Sequence, residues 1–156
     1  MTKTEDFFEA TEGKLLTFQL GEQHYGVRID QAREVVGLMA IDPVPQTPDY
    51  LLGVMNLRGK IVPVMSLRRK LGMEDAEVTG ETCTVVATLN GEETGIVVDF
   101  LVGVVTVSPE QFQSDMNLGD HIDTSVLYGM AKMPDRVIAI LELNALLEKL
   151  DEHHSA

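Results

Sequence analysis

The chain has 156 residues, 44% of them apolar and 5% aromatic, with 12 Lys and Arg against 25 Asp and Glu for a formal charge of -13. A chain of this length buries roughly 70% of its unfolded surface without help from disulfides, and its single cysteine, Cys83, excludes an internal disulfide or a thiolate zinc cluster. The charge has the wrong sign for neutralising phosphates or for docking on anionic lipid, so nucleic acid and membrane surfaces are poor partners.

Met1 to Gly13 carries four acids and no apolar h-region, so it reads as a flexible lead-in of residues 1–13 rather than a secretory signal. Alternating or β-branched apolar runs then follow at Lys14 to Leu20, His24 to Asp30, Arg33 to Leu38, Gly53 to Leu57 and Lys60 to Met65. Ser66 is placed to cap a short helix over Leu67 to Leu71 that Gly72 ends. Further strands are expected at Thr82 to Leu89, Thr94 to Asp99, Leu101 to Val107, Val126 to Met130 and Arg136 to Leu141. Leu143, Leu146, Leu147 and Leu150 have helical spacing and predict a C-terminal helix over about 143–152.

Turn residues separate these runs: Gly21, the Pro-rich stretch Asp42 to Asp49, Arg58-Gly59, Asn90-Gly91 and Met133-Pro134-Asp135. Asn90-Gly91 is the strongest hairpin signal, because both residues tolerate the positive φ of a type I′ turn. The longest apolar stretch, Gly95 to Val107, is interrupted by Asp99 and is too short to cross about 30 Å of hydrocarbon as a helix. A cytoplasmic protein is the default expectation.

The two halves of the chain repeat. Gly21 to Asp30 resembles Gly91 to Asp99 with one residue skipped, and Lys60 to Leu67 matches Arg136 to Leu143 position by position. About five strands per half predict two small barrels sharing an apolar seam, the first over about 14–73 and the second over about 82–141. Charge is uneven along the chain. Arg58, Lys60, Arg68, Arg69 and Lys70 form a basic cluster, whereas residues 71–131 hold 11 acids and no base. Either two faces have different electrostatic partners or the acidic stretch is a solvated surface.

No catalytic or metal constellation assembles from these residues. Asp123-Thr124-Ser125 is superficially like an aspartic-protease motif, but one copy makes no carboxylate dyad, so a hydrolase is the rival reading. His24, His121, His153 and His154 form no ligand set, and Asp120 and Asp123 beside His121 read as a solvated loop. Cys83 between two threonines reads as a small buried residue, because no nearby positive charge would activate it. Met39, Met55, Met65, Met116, Met130 and Met133 read as filler of core or rim. No cofactor and no metal are expected.

Gly53-Val54-Met55-Asn56-Leu57-Arg58-Gly59-Lys60-Ile61-Val62-Pro63-Val64, followed by Leu67-Arg68 and Leu71-Gly72, resembles the CheW family of chemotaxis adaptor proteins. Tyr25 to Ile29 with Glu34-Val35, Gly95 to Asp99, and Asp135 to Ile138 support the likeness, in the same order and spacing from about Leu15 to Leu150. Two positions depart from the family. Ser66 stands where Asp is usual, which preserves a helix cap, and Ala32 stands where a larger apolar residue is common.

The resemblance implies a mostly β protein of two five-stranded SH3-like barrels. It implies a non-enzymatic adaptor that binds the regulatory domain of the CheA histidine kinase and the cytoplasmic tips of chemoreceptors, and so sits at membrane receptor arrays through protein contacts. A paralogue serving another pathway, such as twitching or gliding motility, is the alternative. By this likeness Glu34 and Arg58 lie near each other on a receptor-facing surface, with Ile29, Ala32, Ile61, Val98 and Leu101 in a neighbouring groove. Gly53, Val54 and Asn56, with Phe112 and Gln113 as a second patch, are the expected kinase contacts. Gly53 is singled out because a glycine in a strand often marks close approach of another backbone.

Overall fold

The computed structural model describes residues 1–114 and 124–147. Strands dominate it. They are β1 (Lys14–Leu20), β2 (Gln23–Arg28), β3 (Ala32–Gly37), β4 (Leu51–Leu57), β5 (Lys60–Ser66), β6 (Cys83–Leu89), β7 (Glu92–Val98), β8 (Phe100–Thr106), β9 (Phe112–Gln113), β10 (Leu127–Lys132) and β11 (Val137–Leu141). Helix α1 (Lys3–Thr11) precedes them, α2 (Leu67–Lys70) follows β5, and residues 143–147 are helical after β11.

Two sheets form, one in the order β8-β1-β2-β11-β10-β9 and the other in the order β3-β6-β7-β5-β4. The two-unit β architecture is the one expected, although the sheets have six and five strands and their ladders stay open at β8, β9, β3 and β4. Each sheet takes strands from both halves of the chain, which corrects the division into consecutive units at 14–73 and 82–141. The β1–β2 hairpin joins the late strands β8 to β11, and the β6–β7 hairpin joins the early strands β3 to β5. The repeats therefore exchange their leading hairpins. Local sequence patterning specifies strands and turns but not these long-range pairings.

The repeat is nevertheless faithful at the level of register. Gly26 pairs with Ile140 across the parallel junction of β2 and β11, and its repeat mate Gly95 pairs with Val64 across the parallel junction of β5 and β7. Both β4 and β10 carry a bulge just before a glycine, Gly53 and Gly129. The expected hairpin turns appear with left-handed residues at Asn90-Gly91 (φ 54 and 80) and Arg58-Gly59 (φ 53 and 83).

Among the described residues three large apolar clusters form, beside a small one of Tyr50 and Leu51. Met55, Leu57, Val62, Val64 and Val86 fill the five-stranded sheet. Leu15, Val107, Phe112, Tyr128, Ile138 and Ile140 fill the other. A larger seam between them takes Leu16, Phe18 and Val27 from one sheet and Val85, Ile96 and Val98 from the other, closed by Leu67, Leu143 and Leu146 after the strands. The expectation of a shared seam is met, and the burial of these side chains is the main driving force for keeping the sheets together.

The N-terminal segment is not a flexible lead-in. Thr2 caps α1 by accepting from the Glu5 amide, and the helix ends at left-handed Glu12. Phe7 is fully buried and stacks on Phe112 with ring centroids 4.6 Å apart. Lys3 and Arg28 lie over the Tyr128 ring at 5.0 and 5.2 Å. One buried aromatic supplies what the polar helix lacks in propensity, which is why an acidic stretch reads poorly as structure.

Candidate functional site

The Arg58-Gly59 turn sets the first part of the site. Asn56 Oδ1 accepts a hydrogen bond from the Gly59 amide at 2.7 Å and fixes the turn that carries Arg58. From there the guanidinium forms a fork on Glu34 in edge strand β3, Nη1 to Oε1 at 2.7 Å and Nη2 to Oε2 at 2.6 Å. The Arg58 side chain is 70% exposed and that of Glu34 24%. Arg58's hydrogen bonds hold the Glu34 carboxyl below the usual carboxylate range, and Glu34 in return raises the Arg58 guanidinium. A planar, preorganised charge pair on an open surface offers a partner both a fork donor and free carboxylate lone pairs.

Ile29, Ala32 and Leu101 are half-buried, and each packs against the seam. Ile61 is 63% exposed on β5 and opens into a cavity of about 520 Å³ that Leu89 and Leu147 also line. Val98 is different. It is fully buried in the seam, so it presents nothing to a partner and its place in the groove is corrected. Two residues apart on β7, Ile96 and Val98 face the seam from the same side of the sheet. The strand expected at Leu101 to Val107 is present as β8, but its exposed apolar face, Phe100, Val102 and Val104 on the edge of the sheet with the last at 56%, is not foreseen. The signal was present in an uncharged run of apolar residues too rich for a strand with one buried face.

The expected kinase contacts are divided between sheets and partly internal. Gly53 is buried, with φ 145, and a Cβ there would meet the carbonyl oxygen of Asp42 at 2.2 Å. The close backbone that Gly53 admits is the chain's own: Asp42 and Val54 exchange amide-to-carbonyl hydrogen bonds at 2.9 Å in both directions. Gly53 is thus corrected from a rim contact to a packing residue. Phe112, 8% exposed, is corrected in the same way, because Phe7 and Tyr128 enclose its ring. Val54 is half-buried, and Asn56 and Gln113 are exposed.

The basic cluster is largely neutralised within the molecule. Lys60 pairs with Glu93 at 2.8 Å and Arg69 with Asp75 at 2.8 Å, while Lys70 lies 4.0 Å above the Tyr50 ring. Arg68 donates to Asp99 from Nε and Nη2, at 3.0 and 2.6 Å, and Asp99 Oδ2 also accepts from the Gly21 amide at 2.7 Å. These hydrogen bonds, the Arg68 pair foremost, hold the Asp99 carboxyl below its usual value. The clamp ties α2 to the bend between β7 and β8 and to the β1–β2 turn. Burial, then the Glu81 charge, pushes the Cys83 thiol up, which disfavours its thiolate. Asp120, His121, Asp123, Met116, Leu150, His153 and His154 lie outside the described residues.

Comparison with known proteins agrees with this architecture. The CheW-like domain model matches residues 14–151. The chemotaxis protein CheW of Rhizobium meliloti is 32% identical over 85% of this chain and 86% of the relative. The protein FrzA of Myxococcus xanthus is 29% identical, over 60% of this chain and 58% of its own. The crystal structure of the scaffolding protein TtCheW from Thermoanaerobacter tengcongensis superposes with a TM-score of 0.80 and 31% identity, covering 87% of this chain and 92% of that one. The chain is therefore a two-sheet β scaffold, and it belongs to the CheW-like family.

Proposed function

We propose that this protein is a non-enzymatic adaptor that couples the cytoplasmic tips of chemoreceptors to the regulatory domain of a CheA-type histidine kinase. The observation that carries the reading is the Arg58–Glu34 fork together with the exposed apolar row Phe100, Val102 and Val104 on edge strand β8. A charged anchor with an apolar strip is the surface a receptor helical hairpin needs, with affinity from the strip and orientation from the fork. The kinase contact is assigned to strand β4 around Val54 and Asn56, next to the Arg58-Gly59 turn that carries the receptor anchor. None of the helices among the described residues is long and apolar enough to cross a membrane, so in this reading the chain reaches the membrane arrays through its partners.

Arg58→Glu and Val104→Asp test the assignment by calorimetric titration with a soluble receptor-tip fragment. Both variants are expected to keep the folded circular-dichroism signal and to lose receptor binding, while the kinase regulatory domain still binds. Retention of receptor binding by both variants overturns the receptor surface, and equal loss of both partners overturns the separation of sites. The likeness to FrzA supports a second reading, the same scaffold role in another chemosensory pathway such as twitching or gliding motility. Mass spectrometry of the kinase that copurifies from lysate separates the two.

A further inference from the structure

The internal repeat exposes a difference that points to a ligand. In the five-stranded sheet, Glu93 precedes the Gly95–Val64 pair by two residues and Lys60 lies four before Val64, and the two side chains close the junction as an ion pair at 2.8 Å. In the six-stranded sheet the mates of these residues are His24 and Arg136, at the same offsets from the Gly26–Ile140 pair. The base is kept and the acid is gone.

His24 and Arg136 line one cavity of about 300 Å³ with Met130, Val137 and Ala139. His24 Nδ1 and Arg136 Nε are both buried there with no hydrogen-bond partner. The guanidinium is otherwise engaged through Nη1 alone, at 3.1 Å from each oxygen of the exposed Asp135. Glu22 also borders the cavity but is exposed and pairs with neither group. Lys132, opposite Val137 across β10 and β11, is an exposed cation nearby. Arg136 and Lys132 are matched in number by Asp135 and Glu22, so what sets this place apart is its two buried, unanswered nitrogens.

We propose that the cavity between β2 and β11 receives a carboxylate side chain, Asp or Glu, from a partner protein, in the place that Glu93 fills in the other sheet. The unengaged Nε and Nη2 edge of the guanidinium beside an imidazole matches one carboxylate, and Val137, 49% exposed at the rim, provides an apolar landing for the residue next to the acid. The proposal stands apart from the identity of the receptor and the kinase, since it rests on the repeat and the unpartnered nitrogens alone.

The test uses the full isotope-labelled chain titrated with acetyl-Leu-Glu-Leu-amide, with sodium acetate, and with sodium chloride at matched ionic strength. The tripeptide is expected to shift the Arg136 Nε–H and His24 ring signals saturably, at least tenfold more tightly than acetate, and chloride is expected to shift neither. Arg136→Gln should weaken the tripeptide at least tenfold. His24→Glu should abolish its binding and raise the melting temperature, because the variant supplies internally the acid that the repeat predicts. Absence of saturable shifts, equal affinity for acetate and tripeptide, or unchanged binding by the folded His24→Glu variant overturns the proposal.

Discussion

Strands β5 and β11 run into helices at matching places, and what ties each helix down differs. After β5, Ser66 Oγ accepts from the Arg69 amide, and Arg68 reaches Asp99 and through it the Gly21 amide, so three distant segments meet. After β11, Glu142 Oε1 accepts from the Asn144 amide, and Asn144 stands where Arg68 stood. The mate of Asp99 is Asp30, which is held locally by Arg28, two residues away. In this molecule the shared backbone plan survives in apolar alternation, bulges and glycines, whereas the polar ties are private to each half. The six-stranded sheet compensates with α1, for which the other sheet has no counterpart.

Removing that compensation should have the largest effect. Phe7→Ala, which opens a cavity against Phe112 and Tyr128, is expected to cost about 3–5 kcal/mol in denaturant unfolding and to leave the five-stranded sheet's amide exchange the better protected of the two. An unchanged midpoint would make α1 an ornament. Next comes the glycine pair. Gly53→Ala forces a Cβ to 2.2 Å from a backbone oxygen at a positive φ and should cost about 3 kcal/mol or more. Gly129→Ala meets the Phe112 ring at 2.9 Å and the Gln113 carbonyl oxygen at 3.1 Å, so it should cost about 1–2 kcal/mol. Equal losses would show that the two glycines do the same job.

The Arg68 clamp sharpens the comparison further. Asp99→Asn is expected to cost about 1–3 kcal/mol at pH 7, and Asp30→Asn less than about 1 kcal/mol. Because the folded Asp99 carboxyl sits below its ordinary value of 3.8, its contribution is complete above that value and is lost as pH falls through the lower folded value. Thermal melts of the parent chain should therefore drop on acidification below about pH 4 by more than those of Asp99→Asn. A parallel fall in both would remove Asp99 from the account. The smallest effect is expected from Ser66→Ala, about 1 kcal/mol by loss of a cap, read by the same melts.

Much of this architecture can be read before any coordinates. Alternation places ten of the strands, Asn90-Gly91 and Arg58-Gly59 specify their turns, and Ser66 announces α2, because each is a short-range rule acting on adjacent residues. The exchange of hairpins is not legible, since nothing in Lys14–Leu20 names Phe100–Thr106 as its neighbour. The candidate site divides in the same way. The resemblance places Glu34 and Arg58 together, as they are, but Val98 and Phe112 are apolar residues whose inward or outward sense depends on which sheet covers them. Gly53 illustrates a right principle with the wrong occupant, for the backbone it admits belongs to Asp42.

The exchange of hairpins also fixes an order of events at the ribosome. His24 on β2 pairs with Ile138 on β11, so the first hairpin to leave the exit tunnel must wait for nearly the whole chain before its parallel neighbour exists. The five-stranded sheet is complete once Val98 has emerged, and its assembly leaves the β1–β2 hairpin with an apolar side unanswered until the last strands follow. Pairings this remote slow folding, and a half-built sheet with an unanswered apolar side is the aggregation-prone form of such a chain.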